Sequence, residues 1–161
     1  MPSTPRPARV GFLLSQLGSH AAAAFADRTR EIGITPAQAG VLRILGRQPG
    51  INQRDLARRL GAVQSRVVVL IDGLESAGHV VRERSSTDRR NYELRLTEQG
   101  TATLARLRTI AETHEAELTT GLTDEQRATL ADLLATLATT AGLDVEVHPG
   151  YRARSAAGEQ S

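Results

Sequence analysis

The stretch PGINQRDLARRLG at residues 49–61, followed by QSRVVVLIDGLES at residues 64–76, decides the fold. In the first piece Asn52 is a good helix N-cap, and Asp55 lies three residues later, near the positive end of the helix. Gly61 is placed to end this helix. The second piece has apolar residues at the spacing i, i+3, i+4 and i+7, which predicts one buried stripe. The stripe consists of Val67, Leu70, Ile71 and Leu74.

Upstream, the sequence ITPAQAGVLRILG at residues 34–46 predicts another short helix. Thr35 is a good N-cap and Pro36 suits the first helical position. Three short helices in succession, joined through glycine-containing turns, are typical of a helix-turn-helix. A longer helix is predicted before them, from Val10 to Ile32, with Gly33 placed to end it.

Downstream, the apolar period changes from 3.6 to 2, which indicates two strands. HVVRER at residues 79–84 and NYELRLT at residues 91–97 alternate, with Val81 predicted inward and Arg82 outward. The polar sequence SSTDRRN at residues 85–91 joins them, so we predict a β-hairpin with a basic tip. This hairpin is the wing of a winged helix-turn-helix.

Two further helices are predicted after the wing, one capped by Thr97 and one opened by a Thr123/Gln126 capping box. Their apolar stripes, and that of the first helix, are too long for a single small core and predict packing against a second copy. The predicted fold is therefore mainly α with a small β-wing, a winged helix-turn-helix flanked by N- and C-terminal dimerisation helices. We expect a disordered N-terminus at 1–9, a dimerisation helix at 10–34, a DNA-binding domain at 35–97, dimerisation helices at 98–141 and a flexible tail at 142–161. The sequence DVEVH in the tail is compatible with a short extended piece.

Composition narrows the function classes. The 161 residues contain no cysteine, which excludes disulfides, thiolate metal sites and a cysteine-based redox switch. No run of roughly 18 apolar residues occurs, so no membrane segment is predicted. The N-terminus lacks the apolar stretch of a secretory signal, and we expect a cytoplasmic protein.

The charge is distributed unevenly along the chain. Residues 1–46 carry +3, residues 47–96 carry +4 and residues 97–161 carry −5, which gives the net charge of +2. All basic residues are arginine, which suits phosphate contacts but is also what a GC-rich genome produces. A basic middle and an acidic end indicate a module that faces a polyanion, attached to one that faces elsewhere.

In its longer motifs the chain resembles the MarR family of bacterial winged-helix regulators. The pieces that carry the resemblance are TPAQAGVLRIL, QRDLARRLG, VVLIDGLESAG, HVVRERSSTDRRNYELRLTEQG and LTDEQRATLADLLATL. The resemblance covers about residues 10–140. It implies a homodimer that binds a palindromic operator in double-stranded DNA, usually represses, and is released by a small organic effector or an oxidant.

The resemblance also implies which residues meet DNA. Asp88 and Arg90 match the Asp-x-Arg of the family's wing, with Arg89 between them. An arginine at a hairpin tip can enter the minor groove, where narrow A/T-rich DNA concentrates negative potential. Asp88 would orient the guanidinium rather than contact DNA.

The N-terminal turn of the third helix is the part that usually meets base edges. Gln64, Ser65 and Arg66 lie there, and Arg66 could pair with guanine. Val69 lies about 200° round the helix from Val67 and could press on a thymine methyl. In the preceding helix the phosphate-contact candidates are Gln53, Arg54, Arg58 and Arg59, although some of these arginines could pair with nearby acids.

Some positions depart from the family pattern. Val63 stands where a Ser or Thr cap is common, which predicts a later helix start, at Ser65. Val68, Val69 and Gly73 replace polar or basic residues, so phosphate contacts from these positions are in doubt. These departures keep open a second hypothesis, a winged-helix protein-interaction module without specific DNA binding.

The sequence points to no other chemistry. The four histidines show no metal-ligand spacing, and no motif indicates an enzyme or a bound cofactor. His20 and His114 lie on the predicted dimerisation helices, near the expected effector pocket. Structural histidines at an interface are the favoured interpretation of both.

Overall fold

A computed structural model describes residues 9–85, 91–147 and 151, and within them the chain forms six helices and a two-stranded sheet. The elements are α1 (Val10–Glu31), α2 (Pro36–Arg47), α3 (Gln53–Leu60), α4 (Gln64–Ser76), β1 (Val80–Arg84), β2 (Tyr92–Leu96), α5 (Glu98–Leu118) and α6 (Asp124–Thr140). The mainly α fold with a small β-wing is confirmed. None of the helices in these described ranges is long and apolar enough to cross a membrane.

Side-chain caps begin most of the helices that follow α1. Thr35 and Thr123 each form a reciprocal capping box with the glutamine three residues later. The Asn52 side chain accepts a hydrogen bond from the backbone of Asp55, and Thr97 accepts one from Gly100. These bonds satisfy amides that have no partner inside the helix, and they confirm the predicted starts of α2, α3, α5 and α6.

The core lies between α2, α3, α4 and the sheet, where Leu42, Leu56 and Val67 are fully buried. Of the predicted stripe of α4, Val67, Ile71 and Leu74 are 0% exposed, and Leu70 packs against the core while partly buried. Gly100, at the start of α5, has no room for a side chain, because a Cβ there would overlap the backbone carbonyl of His79. This close approach fixes α5 against the start of β1.

The wing strands pair antiparallel, with Val80 opposite Leu96 and Arg82 opposite Leu94. The predicted orientation of β1 is wrong by one residue, because Val80 is 2% exposed and Val81 is only partly buried. Arg82 shares the face of Val80, and its guanidinium pairs with Asp72 and Glu75 of α4. Alternation alone places Arg82 on the polar outer face. Its ion pairs with α4 allow the arginine to lie half-buried on the inner face instead.

Strand β2 is also joined to the turn before α3. The Leu94 amide donates to the carbonyl of Ile51 at 3.0 Å, and the Gly50 amide donates to the carbonyl of Leu94 at 3.0 Å. Asn52 and Glu93 form an isolated antiparallel bridge. The wing is thus hydrogen-bonded to the helix-turn-helix at its root.

Within residues 9–85, 91–147 and 151, the terminal helices leave their apolar stripes uncovered. Helix α6 has no buried residue, and Leu133 is 59% exposed. On α1 the large apolar residues Phe12, Leu14 and Leu17 are exposed as well. Helix α1 packs on α5 through its C-terminal part, where Thr29 is fully buried.

After α6, the described residues 143–147 and 151 make contacts within the chain, whereas a flexible tail is predicted for 142–161. Residues 144–147 form turns rather than the short extended piece that DVEVH suggested. Asp144 and Glu146 make ion pairs with Arg59 of α3, and Tyr151 is 5% exposed. An alternation of polar and apolar residues over only five positions is compatible with a strand and also with turns. Here Asp144 and Glu146 pair with Arg59, and the segment forms turns.

Candidate DNA-binding surface

The first turns of α4 present an exposed outer face. Gln64, Ser65 and Arg66 are all exposed, and Val69 is 70% exposed. Val67, two residues before Val69, is 0% exposed, as a helical rotation of about 200° between them requires. The predicted division between a core valine and an outward valine is confirmed, and Val68 lies between them, half-buried.

Helix α4 begins without a side-chain cap. Val63 is the N-cap residue, and its carbonyl accepts hydrogen bonds from the amides of Arg66 at 3.1 Å and Val67 at 3.3 Å. The helix therefore starts at Gln64, and the expectation of a later start at Ser65 is wrong. Backbone bonds to the Val63 carbonyl are sufficient to open the helix, while its side chain stays exposed.

On α3 the four phosphate-contact candidates have different surroundings. Arg58 pairs with Asp55 at 3.0 Å, and Arg59 pairs with acids that follow α6, so these two arginines have partners within the chain. Gln53 is half-buried and Arg54 is exposed. Within the described residues, Arg54 makes no ion pair, and neither does Arg66 on α4. Among the candidates, these two guanidiniums are therefore the ones without an acidic partner in the part of the chain that the structure describes.

Gly73 is exposed and lies about 40° round α4 from Val69, on the same side of the helix and one turn further along it. A Cβ at this position would lie 3.1 Å from the side-chain nitrogen of Gln38, at the start of α2. A larger residue here would first meet α2.

The wing tip itself, with Asp88, Arg89 and Arg90, lies outside the described residues, and its role stays a prediction. The described part ends at Ser85 and Asn91, where the Ser85 amide donates to the Asn91 carbonyl at 2.9 Å. A hydrogen bond with the Ser85 side chain, and a second one with Arg95, lower the pKa of Glu93. The Arg84 guanidinium lies 5.8 Å from the centre of the Tyr92 ring, a cation–π contact.

A cavity of about 910 Å³ lies between the helix-turn-helix and the terminal helices. Its apolar wall includes Phe25, Leu104 and Leu107, and the Phe25 ring lies 5.6 Å from the ring of His114. Its basic residues are Arg43, Arg47, Arg66, Arg108 and His114. An apolar wall with several cations suits an organic anion.

The sequence predicted only part of this cavity. His114 lines it, in the region expected for an effector, whereas His20 is exposed and is not among the lining residues. The sequence did not single out the three arginines other than Arg66, or Tyr151, as cavity residues. A glycine in the middle of α2, Gly40, was an available signal, since it lies where Tyr151 packs. In the described ranges no cluster of three or more His, Cys, Asp or Glu residues could hold a metal ion.

Comparison with known proteins connects this surface to a family. A sequence model described as MarR family matches residues 32–91, from the end of α1 to the residue before β2. A protein of Thauera aromatica assigned as transcriptional regulator of the hcr operon is 34% identical over 135 residues, covering 79% of this chain and 81% of that protein. The HTH-type transcriptional repressor MdtR of Bacillus subtilis is 30% identical over 112 residues, covering 70% and 72%.

The fold has a solved counterpart bound to DNA. The transcriptional repressor CouR, in complex with a 23-mer DNA duplex, superposes with a TM-score of 0.72 at 38% sequence identity. That alignment covers 81% of this chain and 92% of CouR. With its winged helix-turn-helix and these relatives, the chain belongs to the MarR family of DNA-binding transcriptional regulators, which are not enzymes.

Proposed function

We propose that the protein is a homodimeric repressor that binds a palindromic operator and is released by a small organic effector. The observation that carries this proposal is the exposed outer face of α4, with Gln64, Ser65, Arg66 and Val69, over a fully buried inner stripe. Such a helix can enter a major groove without disturbing the core. Residues 35–97 form the DNA-binding unit, and residues 10–34 and 98–141 form the dimerisation unit.

The proposed contacts with DNA are of three kinds. Gln64, Ser65, Arg66 and Val69 reach base edges, with Arg66 suited to guanine and Val69 to a thymine methyl. Gln53 and Arg54 contact phosphates and set the position of the helix. Arg89 and Arg90 of the wing reach the minor groove, with Asp88 orienting them.

The dimer is supported by the uncovered apolar stripes of α1 and α6. Exposed apolar patches of this kind mark interaction surfaces, and a second copy carries the same stripes. In a twofold dimer the two α4 helices would read half-sites about one helical turn apart.

Release by an effector is supported by the cavity between the two units. A ligand there would touch α1 and α5 on one side and α2 and Arg66 of α4 on the other. It could therefore favour one relative position of the two units over another, which is what a change in DNA affinity requires.

Protection mapping on the intergenic DNA beside the gene tests the proposal. We expect two protected half-sites related by twofold symmetry, and an affinity that falls steeply with salt. Arg90→Ala should lower the slope of log affinity against log salt by about 1. Arg30→Ala, which removes the same charge from an exposed position on α1, is the control and should leave the slope unchanged.

Absent or salt-independent binding would contradict the proposal. The protein-interaction module remains the second hypothesis, and the exposed Val63 and Val69 are the residues that favour it. It predicts that Arg89 and Arg90 are dispensable and that a protein partner co-purifies.

A further inference from the structure

The segment after α6 turns back onto the helix-turn-helix; we call residues 143–147 together with Tyr151 the strap. Its two carboxylates face arginines of α2 and α3. Asp144 pairs with Arg59 at 2.9 Å, and Glu146 pairs with Arg59 at 2.6 Å and with Arg47 at 3.4 Å. The backbone carbonyl of Glu146 accepts a hydrogen bond from Arg43 at 2.6 Å. One short stretch thus engages three arginines.

Tyr151 packs on the first half of α2. It is 5% exposed, and its hydroxyl donates a hydrogen bond to the backbone carbonyl of Ala37. Its ring occupies a notch left by Gly40, since a Cβ at position 40 would overlap the tyrosine hydroxyl. Burial raises the pKa of Tyr151 to about 12, as expected for a phenol withdrawn from water.

The strap and the cavity share residues. Arg43 and Arg47 line the cavity and both contact Glu146, while Tyr151 forms part of the cavity wall. Of the four arginines around the cavity, the strap therefore engages two. Arg66 and Arg108 make no ion pair with the part of the chain that the structure describes, and they stay available to an anion.

We propose that the strap is a built-in competitor for this cavity, so that docking of the strap and occupation by an organic anion exclude one another. The inference rests on the proposed effector cavity. An anionic ligand would draw Arg43 and Arg47 away from Glu146, and its aromatic body would lie along the apolar wall formed by Phe25, Leu104 and Leu107. The strap's ion pairs are partly exposed and individually weak, so a ligand can displace them. Affinity for the ligand then depends on the fraction of molecules with an undocked strap.

Fluorescence titration of the full-length protein with 8-anilinonaphthalene-1-sulfonate, an aromatic anion, tests the proposal. Tyr151→Ala removes the aromatic ring of the strap, and Gly40→Ala displaces that ring without changing the tyrosine itself. If the strap is docked in about nine molecules of ten, either change should tighten probe binding about tenfold. Tyr92→Ala removes the exposed tyrosine of β2 and should bind the probe as the unchanged protein does.

A third variant locates the probe. Ala111 of α5 lines the cavity, and Ala111→Trp added to Tyr151→Ala should abolish the gain in affinity. Circular dichroism of each variant confirms that the helices are retained. Equal probe affinity in the unchanged protein, Tyr151→Ala and Gly40→Ala would overturn the proposal, and so would the absence of probe binding in all of them.

Operator binding by the same variants separates this inference from the proposed function. Without probe, Tyr151→Ala should bind the operator as the unchanged protein does, because Tyr151 is not among the proposed DNA contacts. If no variant binds DNA, the proposed function fails, while the probe titration still decides whether the strap competes for the cavity.

Discussion

The leucines of the helix-turn-helix and those of α6 follow the same helical spacing but end in opposite environments. Leu42 and Leu56 are 0% exposed, whereas Leu130 and Leu133 are 40% and 59% exposed. The first group is enclosed by α2, α3, α4 and the sheet, so one chain is enough to bury it. Nothing in the described part of the chain covers the second group. The same helical spacing of leucines thus gives a buried core in the helix-turn-helix and an exposed apolar face on α6.

Truncating a leucine of the enclosed core should give the largest effect on stability. Leu56→Ala removes a fully buried side chain and leaves a cavity, so we expect the free energy of unfolding to fall by about 2–5 kcal/mol. Urea denaturation followed by circular dichroism measures this loss. A loss below about 1 kcal/mol would mean that the core does not depend on this contact.

A charge placed on α6 should separate the two regions. Leu133→Glu is expected to weaken self-association at least about tenfold, equivalent to about 1.4 kcal/mol, because it puts a carboxylate into an apolar interface. Sedimentation velocity over a range of concentrations measures the association. Ala128→Glu carries the same charge on the opposite side of α6 and serves as the control. If both variants associate equally well, the leucine face of α6 is not the dimer interface.

Two valines of α4 repeat the contrast within a single helix. Val67→Ala should lower the free energy of unfolding by about 1.5–3 kcal/mol, because Val67 is fully buried. Val69→Ala should change it by less than about 0.5 kcal/mol. In DNA binding the order reverses, and Val69→Ala should weaken operator binding more than binding to random DNA. Equal losses on both DNAs would exclude base reading by Val69.

The smallest effect concerns the strap and appears only at high pH. The chain has two tyrosines, so Tyr92→Phe leaves Tyr151 as the sole phenol, and its absorbance change should report a pKa of about 12. Since this pKa lies above the ordinary value near 10, docking contributes stability that is fully present below about pH 10 and is lost as pH rises through 12. Adding Gly40→Ala should bring the pKa back toward 10. An unchanged high pKa in that double variant would show that Gly40 does not hold the ring.

Local signals explain why much of the fold could be predicted. Four helix starts are each indicated by a capping residue and the three residues that follow it, at Thr35, Asn52, Thr97 and Thr123. The apolar stripe of α4 is contained in eight consecutive residues. The orientation of β1 was wrong because the face that Val80 takes depends on α4, which supplies the acids for Arg82.

The candidate site was less accessible to sequence reasoning than the fold. The exposed face of α4 follows from helical rotation, so Val67 and Val69 could be separated in advance. The contact between Tyr151 and Gly40 joins positions more than a hundred residues apart, and no periodicity reports it. The roles of Arg43 and Arg47 depend on the same folding of the C-terminal segment onto α2. In the sequence each is an ordinary arginine of a helix, and only the fold brings Glu146 into contact with both.

The attachment of the wing root has a further consequence. Arg82 joins β1 to α4, and the bonds of Leu94 join β2 to the turn before α3. These bonds hold the root of the wing and the helix-turn-helix together within one chain. In the proposed DNA complex they would fix the distance between the grooves that α4 and the wing enter. We expect the distance that can change to be the one between the DNA-binding units of the two subunits in the proposed dimer. An effector would then alter the half-site spacing that the dimer accepts, while each half-site keeps the same sequence preference.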